Sequence, residues 1–502
     1  MAIISSCFCT DIFAVLVACV IGIITYFKWS FKYWEKRNVP FLKPSIPFGT
    51  MANPLKPTHS FGELIKLQYE KSRQMGLKHV GLFTFSIPTY MPLSLEYIKD
   101  IMSRDFNHFV DRGFYFNEKD DPLSAHLFAI EGSRWRNLRA KLTPTFTSGK
   151  MKMMFRTVLE SGKQLIEAMD ENYDNHLPVD IKDLLGRFGM DVIGSCAFGI
   201  DCNSFKDPNS EFRRFARRGL TQTKWESLKA FFSFSNPSLA RKMGICMIPD
   251  VVTTFFSKLI EVAVTYRETN KTSRNDFLQI LLDLKNNSDD HLTIQEVTAQ
   301  AYLFFIAGFE TTSTTMSFCL YELSRDQDLQ DKVREEIVSV LELHDGEFTY
   351  DAIREMKYMQ QVIDEVLRKY PPLPMLNRKC VMDYKLPGTD LVIEKGTNVM
   401  IPLYGLHYDP EYFPDPECFD PERFNEENKK KVIPFTYMPF GEGPRVCIGL
   451  RFGLMQTGIG IALLLNKFRF SLSEKTKLPL IMNPSSFSLS VLGDIWLNVD
   501  KV

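Results

Sequence analysis

Residues 434–453 read P-F-T-Y-M-P-F-G-E-G-P-R-V-C-I-G-L-R-F-G, with Cys447 near the centre. Gly441, Gly443 and Pro444 punctuate this stretch and predict a sharp backbone turn. Beyond Cys447 the pattern changes: Ile448 to Phe452 leads into the apolar run Ile459 to Leu465, which predicts a buried helix. Cys447 therefore falls where a glycine-rich turn feeds a helix N-terminus. Unpaired N–H groups there can hydrogen-bond a sulfur and favour its thiolate form. A thiolate on a flat turn with small neighbours suits a large planar metal cofactor approached from one side. A buried structural cysteine is the alternative, and the better reading for most of the other nine cysteines. At Cys447 the fixed spacing of Phe440, Gly443, Arg445 and Gly449 around it speaks for the site.

The 502-residue chain is 45% hydrophobic and 24% charged, a globular composition long enough for one large core or two domains. Its net charge of −1 gives no case for nucleic acid as a partner. The ten cysteines form no C-x-x-C pair and no zinc-like spacing with histidine. Together with the orientation argued next, this favours reduced thiols in a cytosol-facing body. The 41 phenylalanines are an excess whose first use is core, with some left to line an apolar substrate cavity.

Ile12 to Phe27 carries no charge and predicts an N-terminal membrane anchor over residues 1–28. A cleaved signal peptide competes, but it wants a positive n-region, and no Lys or Arg precedes Lys28. The charges follow instead, at Lys28, Lys32, Lys36 and Arg37, which places the N-terminus in the lumen and the rest in the cytosol. Residues 29–50, basic and then rich in proline (Pro40, Pro44, Pro47), form a stiff connector. No repeat or Ser/Gly linker divides residues 51–502, which are expected to be one domain. Residues 231–250 read as an apolar loop, either packed on the body or touching the bilayer.

Four further motifs stand out. Trp135 and Arg139, as W-x-x-x-R, lie one turn apart on one helical face, a spacing any surface helix also shows. Thr293 and Glu296 make a capping box that opens a long helix to about Arg325. Its middle is apolar all round, yet Ala307-Gly308-Phe309-Glu310-Thr311-Thr312 places a small pair, an acid and an alcohol inside it. Such local violations often mark function. Gln327 to Leu343 predicts an amphipathic helix with Lys332, Arg334, Glu335 and Glu336 on its solvated side. Glu365 and Arg368 make E-x-x-R, usually a surface pair, but Pro421-Glu422-Arg423-Phe424 follows about fifty residues later. Tyr384 to Pro402 and Ser485 to Val499 read as small antiparallel sheets, the tip near Phe487 being a candidate cavity wall.

Taken together, F-x-x-G-x-R-x-C-x-G, A-G-F-E-T-T, E-x-x-R with P-E-R-F and W-x-x-x-R resemble the cytochrome P450 family, in order and over essentially the whole chain. The stretches Asn117 to His126 and Thr143 to Lys150 are most similar to insect microsomal members, a group linked to plant toxins and insecticides. The resemblance implies a mainly α fold with small β-sheets (α+β), held to the endoplasmic reticulum membrane by the anchor. It implies haem b with Cys447 as axial thiolate ligand of the iron, on the loop of Phe440 and Gly449. It implies propionate contacts from Trp135, Arg139, Arg378 and Arg445, room for haem and dioxygen beside Ala307 and Gly308, and oxygen activation by Thr311 with Glu310 as proton relay. Glu365, Arg368 and Arg423 are implied to be a buried structural network behind the cysteine loop. The implied reaction is monooxygenation of a lipophilic small molecule, with cavity walls from loops around 108–126, 212–250, 304–309, 371–377 and 485–490. Electrons would come from NADPH through NADPH–cytochrome P450 reductase, with cytochrome b5 as a second donor, docked by residues such as Arg134, Arg136, Lys141 and Arg451. The chain has no G-x-G-x-x-G dinucleotide motif of its own.

Three other readings use parts of the same sequence. A haem-thiolate isomerase or dehydratase would do without the acid–alcohol pair, which is present at Glu310 and Thr311. A protein that only sequesters hydrophobic compounds would tolerate its loss. A membrane-anchored scaffold would need none of the haem motifs.

Overall fold

In the computed structural model, which describes residues 2–502 apart from 54, 55, 221, 222, 275 and 288–291, the chain folds around one long helix, Ile294–Arg325. Thr293 caps it: its side chain accepts from the Glu296 N–H, and Glu296 accepts from the Thr293 N–H at 2.8 Å. At 1.5 Å per residue the helix runs about 48 Å, enough to cross the body. Two helices flank it at close range, and missing side chains let them approach. A Cβ on Gly189, in the Ile181–Ile193 helix, would lie 3.2 Å from the Phe309 carbonyl oxygen. A Cβ on Gly308 would lie 2.3 Å from Ile193 Cδ1. On the other side, a Cβ on Gly460, in the Leu450–Lys467 helix, would lie 2.5 Å from Met316 Sδ. Gly308, expected as room for a cofactor, is thus also the price of tight helix packing.

A four-stranded sheet forms the second layer, in the order His79–Thr84, Ile87–Pro92, Asn398–Ile401, Leu376–Lys379. Its outer pairs are antiparallel, with Gly81 opposite Tyr90 and Arg378 opposite Val399, while Thr89 and Asn398 pair in parallel. This register sets Arg378 in the last strand, beside the cavity described below. A three-stranded sheet joins Val179–Asp180, Trp496–Lys501 and Phe468–Leu472, and Tyr384–Lys385 pairs with Val392–Ile393. The mainly α architecture with small sheets is as expected. Apolar side chains gather into a large helical core around Phe305 and Phe318 and a smaller one around Trp34, Tyr90 and Val399.

The N-terminal helix is Ala2–Ser30, and Phe13, Leu16 and Ile21 along it are all more than half exposed. An unpaired helix that is apolar all round has no stable place in water, and its length suits a bilayer. The 29–50 stretch, expected as a stiff connector, is laid along the sheet. Trp34 is buried against Gly81 and donates from Nε1 to the Leu82 carbonyl at 2.9 Å. Tyr33 and Arg37 both bind Glu394.

Two expectations are corrected. Residues 231–250 are mostly helical: Lys224–Ser235 is opened by a Thr223–Glu226 capping box, and Pro237–Lys242 begins on its proline. A proline read as a loop signal serves at N1, where its missing N–H costs nothing. The Gln327–Leu343 helix has the expected bounds, but of its charges Arg334 is buried and Glu336 is only partly exposed. Arg334 is buried and donates to the Leu465 and Phe468 carbonyls, both at 3.0 Å. Glu336 accepts from the Tyr358 and Met359 N–H groups and caps the helix Lys357–Lys369.

Candidate active site

The cysteine loop is held by its own backbone. Cys447 N–H donates to the Phe440 carbonyl at 2.9 Å, and Val446 N–H to Gly443 at 3.0 Å. Gly443 sits at φ 70°, and a Cβ there would lie 2.1 Å from the Met102 carbonyl oxygen, so no other residue fits. Gly449, where a side chain would meet nothing within 4 Å, ends the loop, and the helix Leu450–Lys467 follows.

The Cys447 side chain is open to an internal cavity yet closed off from bulk solvent. Burial pushes its thiol above the ordinary range. The Gly449 N–H and the charges of Arg112 and Arg139 oppose that without overcoming it. The helix terminus alone therefore does not make the thiolate expected from the sequence. A metal at the sulfur would, because a coordinated thiol loses its proton outright.

Across the cavity stands the middle of the central helix, contributing Ala307, Gly308, Thr311 and Thr312. Thr311 Oγ1 donates to the Ala307 carbonyl at 2.7 Å, and Thr312 Oγ1 to Gly308 at 2.7 Å. Each hydroxyl is tied to its own helix and keeps acceptor capacity. Glu310 is not a wall residue. Its carboxyl is pushed up by burial, against the opposing pull of Lys182 and Arg217. The acid and the alcohol therefore do not share the cavity face.

Three guanidinium groups meet at the cavity's other end. Arg112 donates to the Phe128 and Arg445 carbonyls at 3.2 and 3.0 Å. Arg445 donates to Val110 and Ile130 and lies 3.8 Å from the Trp135 ring centre. Arg378 donates from Nη1 to the Asn377 carbonyl at 2.8 Å, and its buried Nε has no partner. Burial, with repulsion from neighbouring guanidinium groups that for Arg112 is that of Arg139, pulls these cations down, Arg112 to about 10, Arg378 to about 9 and Arg445 to about 8. No Asp or Glu is among the described residues of the cavity wall, and the nearest carboxylate, Asp111, is 3.8 Å from Arg445. Such a concentration of buried positive charge calls for anionic groups. With a soft sulfur on a flat glycine turn and apolar walls, these residues fit haem b, whose edge carries two carboxylates. Trp135 and Arg139 are one step back: Trp135 backs Arg445, and Arg139 donates to the Val446 carbonyl at 2.8 Å.

Behind the loop, Glu365 and Arg368 are both fully buried and joined by two hydrogen bonds of 2.7 and 2.8 Å. Arg423 approaches Glu365 at 3.5 Å. His407 carries this pair to the loop: its Nδ1 lies 3.0 Å from the Arg368 carbonyl, and its Nε2 accepts from Met438 N–H at 3.2 Å. Burial pulls the His407 imidazole down to about 3, which keeps it neutral, a donor at one nitrogen and an acceptor at the other.

Of the expected walls, 371–377 and Phe487 contribute, as do Arg112, Phe114, Phe304 and Ala307. The stretch 212–250 contributes none among its described residues, 221 and 222 lying outside them. Phe146, Met154 and Phe277 line the cavity without having been expected there. Arg112 and His407 were also missed. The one signal for Arg112 was a charge pair, Asp111-Arg112, inside an apolar stretch.

Comparison with known proteins matches residues 51–496 to the family model described as cytochrome P450. The chain is 44% identical over 489 residues to the "Probable cytochrome P450 6a14" of Drosophila melanogaster, covering 94% of this chain and 96% of that protein. It is 43% identical to cytochrome P450 6a8 of the same fly over 98% and 99% of the two chains. It is 42% identical to cytochrome P450 6A1 of Musca domestica over 95% of each.

Proposed function

The chain belongs to the cytochrome P450 family and is a haem-thiolate monooxygenase; on that premise we propose that it draws electrons from NADPH through a separate flavoprotein reductase to oxidise lipophilic foreign compounds, such as plant toxins or insecticides. The observation that carries the reading is one cavity with Cys447 on one wall, Thr311 on another, three arginines at one end and a largely apolar lining of aliphatic and aromatic side chains. When bound, haem supplies the reductive activation of dioxygen, one atom entering the substrate and the other leaving as water. Cys447 would hold the iron, and Arg112, Arg378 and Arg445 would hold the propionates, with Trp135 and Arg139 setting Arg445 and the loop. Ala307 and Gly308 keep the helix low where the reacting groups meet. The Thr311 hydroxyl is placed to hold a proton there. Glu310, pushed up by burial, is suited to resupply it from the Lys182 side.

The test is turnover with an added reductase. Oxidised product should require NADPH, dioxygen and reductase together; product formed without reductase would favour the isomerase or dehydratase reading. In the same assay Thr311→Ala is expected to keep haem and NADPH consumption but to lose most product to hydrogen peroxide. Full coupling in that variant would remove Thr311 from oxygen activation.

The anchor reading puts residues 1–28 in the endoplasmic reticulum membrane, the 29–50 stretch at its cytosolic surface and the 51–502 body in the cytosol. Deleting residues 1–28 is expected to weaken membrane attachment while leaving haem binding intact, as measured by sedimentation and spectrum. A truncated protein still wholly in the membrane fraction would locate the main attachment elsewhere. For reductase, and for cytochrome b5, docking falls first to Arg136 and Arg451, which are exposed; Arg134 is already engaged with Glu118 and Glu296.

A further inference from the structure

The hydrogen bonds of the anchor helix do not stop at Ser30. Phe31 N–H donates to the Phe27 carbonyl at 2.9 Å, Lys32 to Trp29 at 3.2 Å, Tyr33 to Ser30 at 3.0 Å and Lys36 to Lys32 at 3.0 Å. Arg37 and Asn38 continue the series, donating to Trp34 and Glu35, both at 3.1 Å. No glycine or proline stands between Gly22 and Pro40, so the segment lacks the residues at which helices most often kink. A change of direction between the apolar span and Asn38 has to break these bonds.

The same turns are gripped by the body. Trp34 is 1% exposed, its ring fills the space that a Cβ on Gly81 would take, and its Nε1 is bonded to Leu82. Around it, the Phe31 ring meets Phe83 at 5.0 Å, and Tyr33 and Arg37 bind the two oxygens of Glu394 at 2.9 and 2.6 Å. Beyond it, Gly81 N–H donates to the Pro40 carbonyl at 2.8 Å and Leu42 N–H to Gly81 at 3.1 Å, so this stretch adds an edge to the sheet. Before it, Tyr26 Oη lies 3.2 Å from Ser86 Oγ. The family match begins at residue 51, so Phe31, Trp34 and Arg37 lie outside what the family model describes.

On the membrane side, Trp29 is 64% exposed, and Lys36 Nζ stands 5.7 Å from its ring centre. An exposed tryptophan beside lysines at the end of an apolar helix marks the headgroup level. Trp34 follows about 7.5 Å further along the helix direction, so the grip on the sheet lies at the bilayer surface.

We propose that Trp34 is a positioning residue for the membrane: by seating the anchor helix in the sheet without a hinge, it fixes the tilt of the catalytic body on the bilayer. The span then acts as a lever and not as a tether. The inference rests on residues 1–28 spanning the membrane.

The test is electron paramagnetic resonance of the ferric haem in oriented multilayers holding the full-length protein, with thermal unfolding followed in parallel. The wild-type spectrum is expected to change strongly with the angle between field and membrane normal. Inserting Gly-Ser-Gly-Ser between Ser30 and Phe31 leaves Trp34 seated, so a purely structural role predicts wild-type behaviour in both measurements. The lever predicts a wild-type unfolding midpoint with most of the angular dependence lost. Trp34→Ala should lose the angular dependence and unfold at lower temperature, and Trp34→Phe, which keeps a ring on Gly81, should recover most of both. An insertion variant with wild-type angular dependence overturns the proposal, whether or not Trp34→Ala folds. Wild-type protein retained in the bilayers without angular dependence overturns it as well. Wild-type protein that the bilayers do not retain refutes the anchor, and the lever with it.

Discussion

Arg368→Ala is expected to lower the unfolding free energy by about 3–5 kcal/mol and to leave a protein that loses haem on purification. The reason is the charge left behind. Glu365 has no exposed surface, and without Arg368 it keeps only the Asp420 N–H at 3.0 Å and Arg423 at 3.5 Å. Arg368 also donates to the His407 and Cys418 carbonyls, which would lose their partner. The damage reaches the site because His407 links this helix to Met438, at the start of the cysteine loop. Replacing both members by apolar side chains, as Glu365→Leu with Arg368→Met, should recover much of the stability, since no charge is then stranded. Urea denaturation of the three proteins measures this. A single-variant loss below about 1 kcal/mol would put the pair in the class of exposed ion pairs.

Cys447→Ser has the larger effect on activity. It is expected to abolish the thiolate-type spectrum and to bring reductase-driven product formation to background, with the fold retained. Serine keeps the size and the backbone bond to Phe440, so the loop should survive. What it lacks is a soft anionic ligand, whose electron donation favours O–O cleavage. Burial pushes the Cys447 thiol up, so the proton must leave as the metal binds, and haem loading should weaken as pH falls. A Cys447→Ser protein with an unaltered spectrum would mean that another side chain holds the iron.

The sequence made these two sites legible for different reasons. Around Cys447 the turn itself has local causes, Gly441 and Gly443 at positive φ and a helix start just beyond, and local causes can be read along a chain. Glu365, Arg368 and Arg423 were readable only as a combination, since E-x-x-R alone is usually a surface pair. Thr293–Glu296 gave the start of the central helix correctly, while the same signature at Thr223–Glu226 was overlooked beneath a run of phenylalanines and prolines. Arg112, His407 and Arg334 were missed or misplaced for a common reason. Each is tied to backbone groups distant in the chain, Arg445 for Arg112, Arg368 and Met438 for His407, Leu465 and Phe468 for Arg334, and no spacing encodes such contacts. The role of Gly308 in seating Ile193 is likewise tertiary. Glu310 and Thr311 are adjacent in sequence, but a helix turns about 100° per residue, so they face different surroundings.

The central claim is that Cys447 presents a thiolate to haem iron in this cavity. The most direct test is the carbon-monoxide difference spectrum of the dithionite-reduced full-length protein in membranes. A strongly red-shifted Soret band, lost in Cys447→Ser, is the predicted result. A folded protein with no haem band, or with a band only at the shorter wavelength of a neutral ligand, would contradict it.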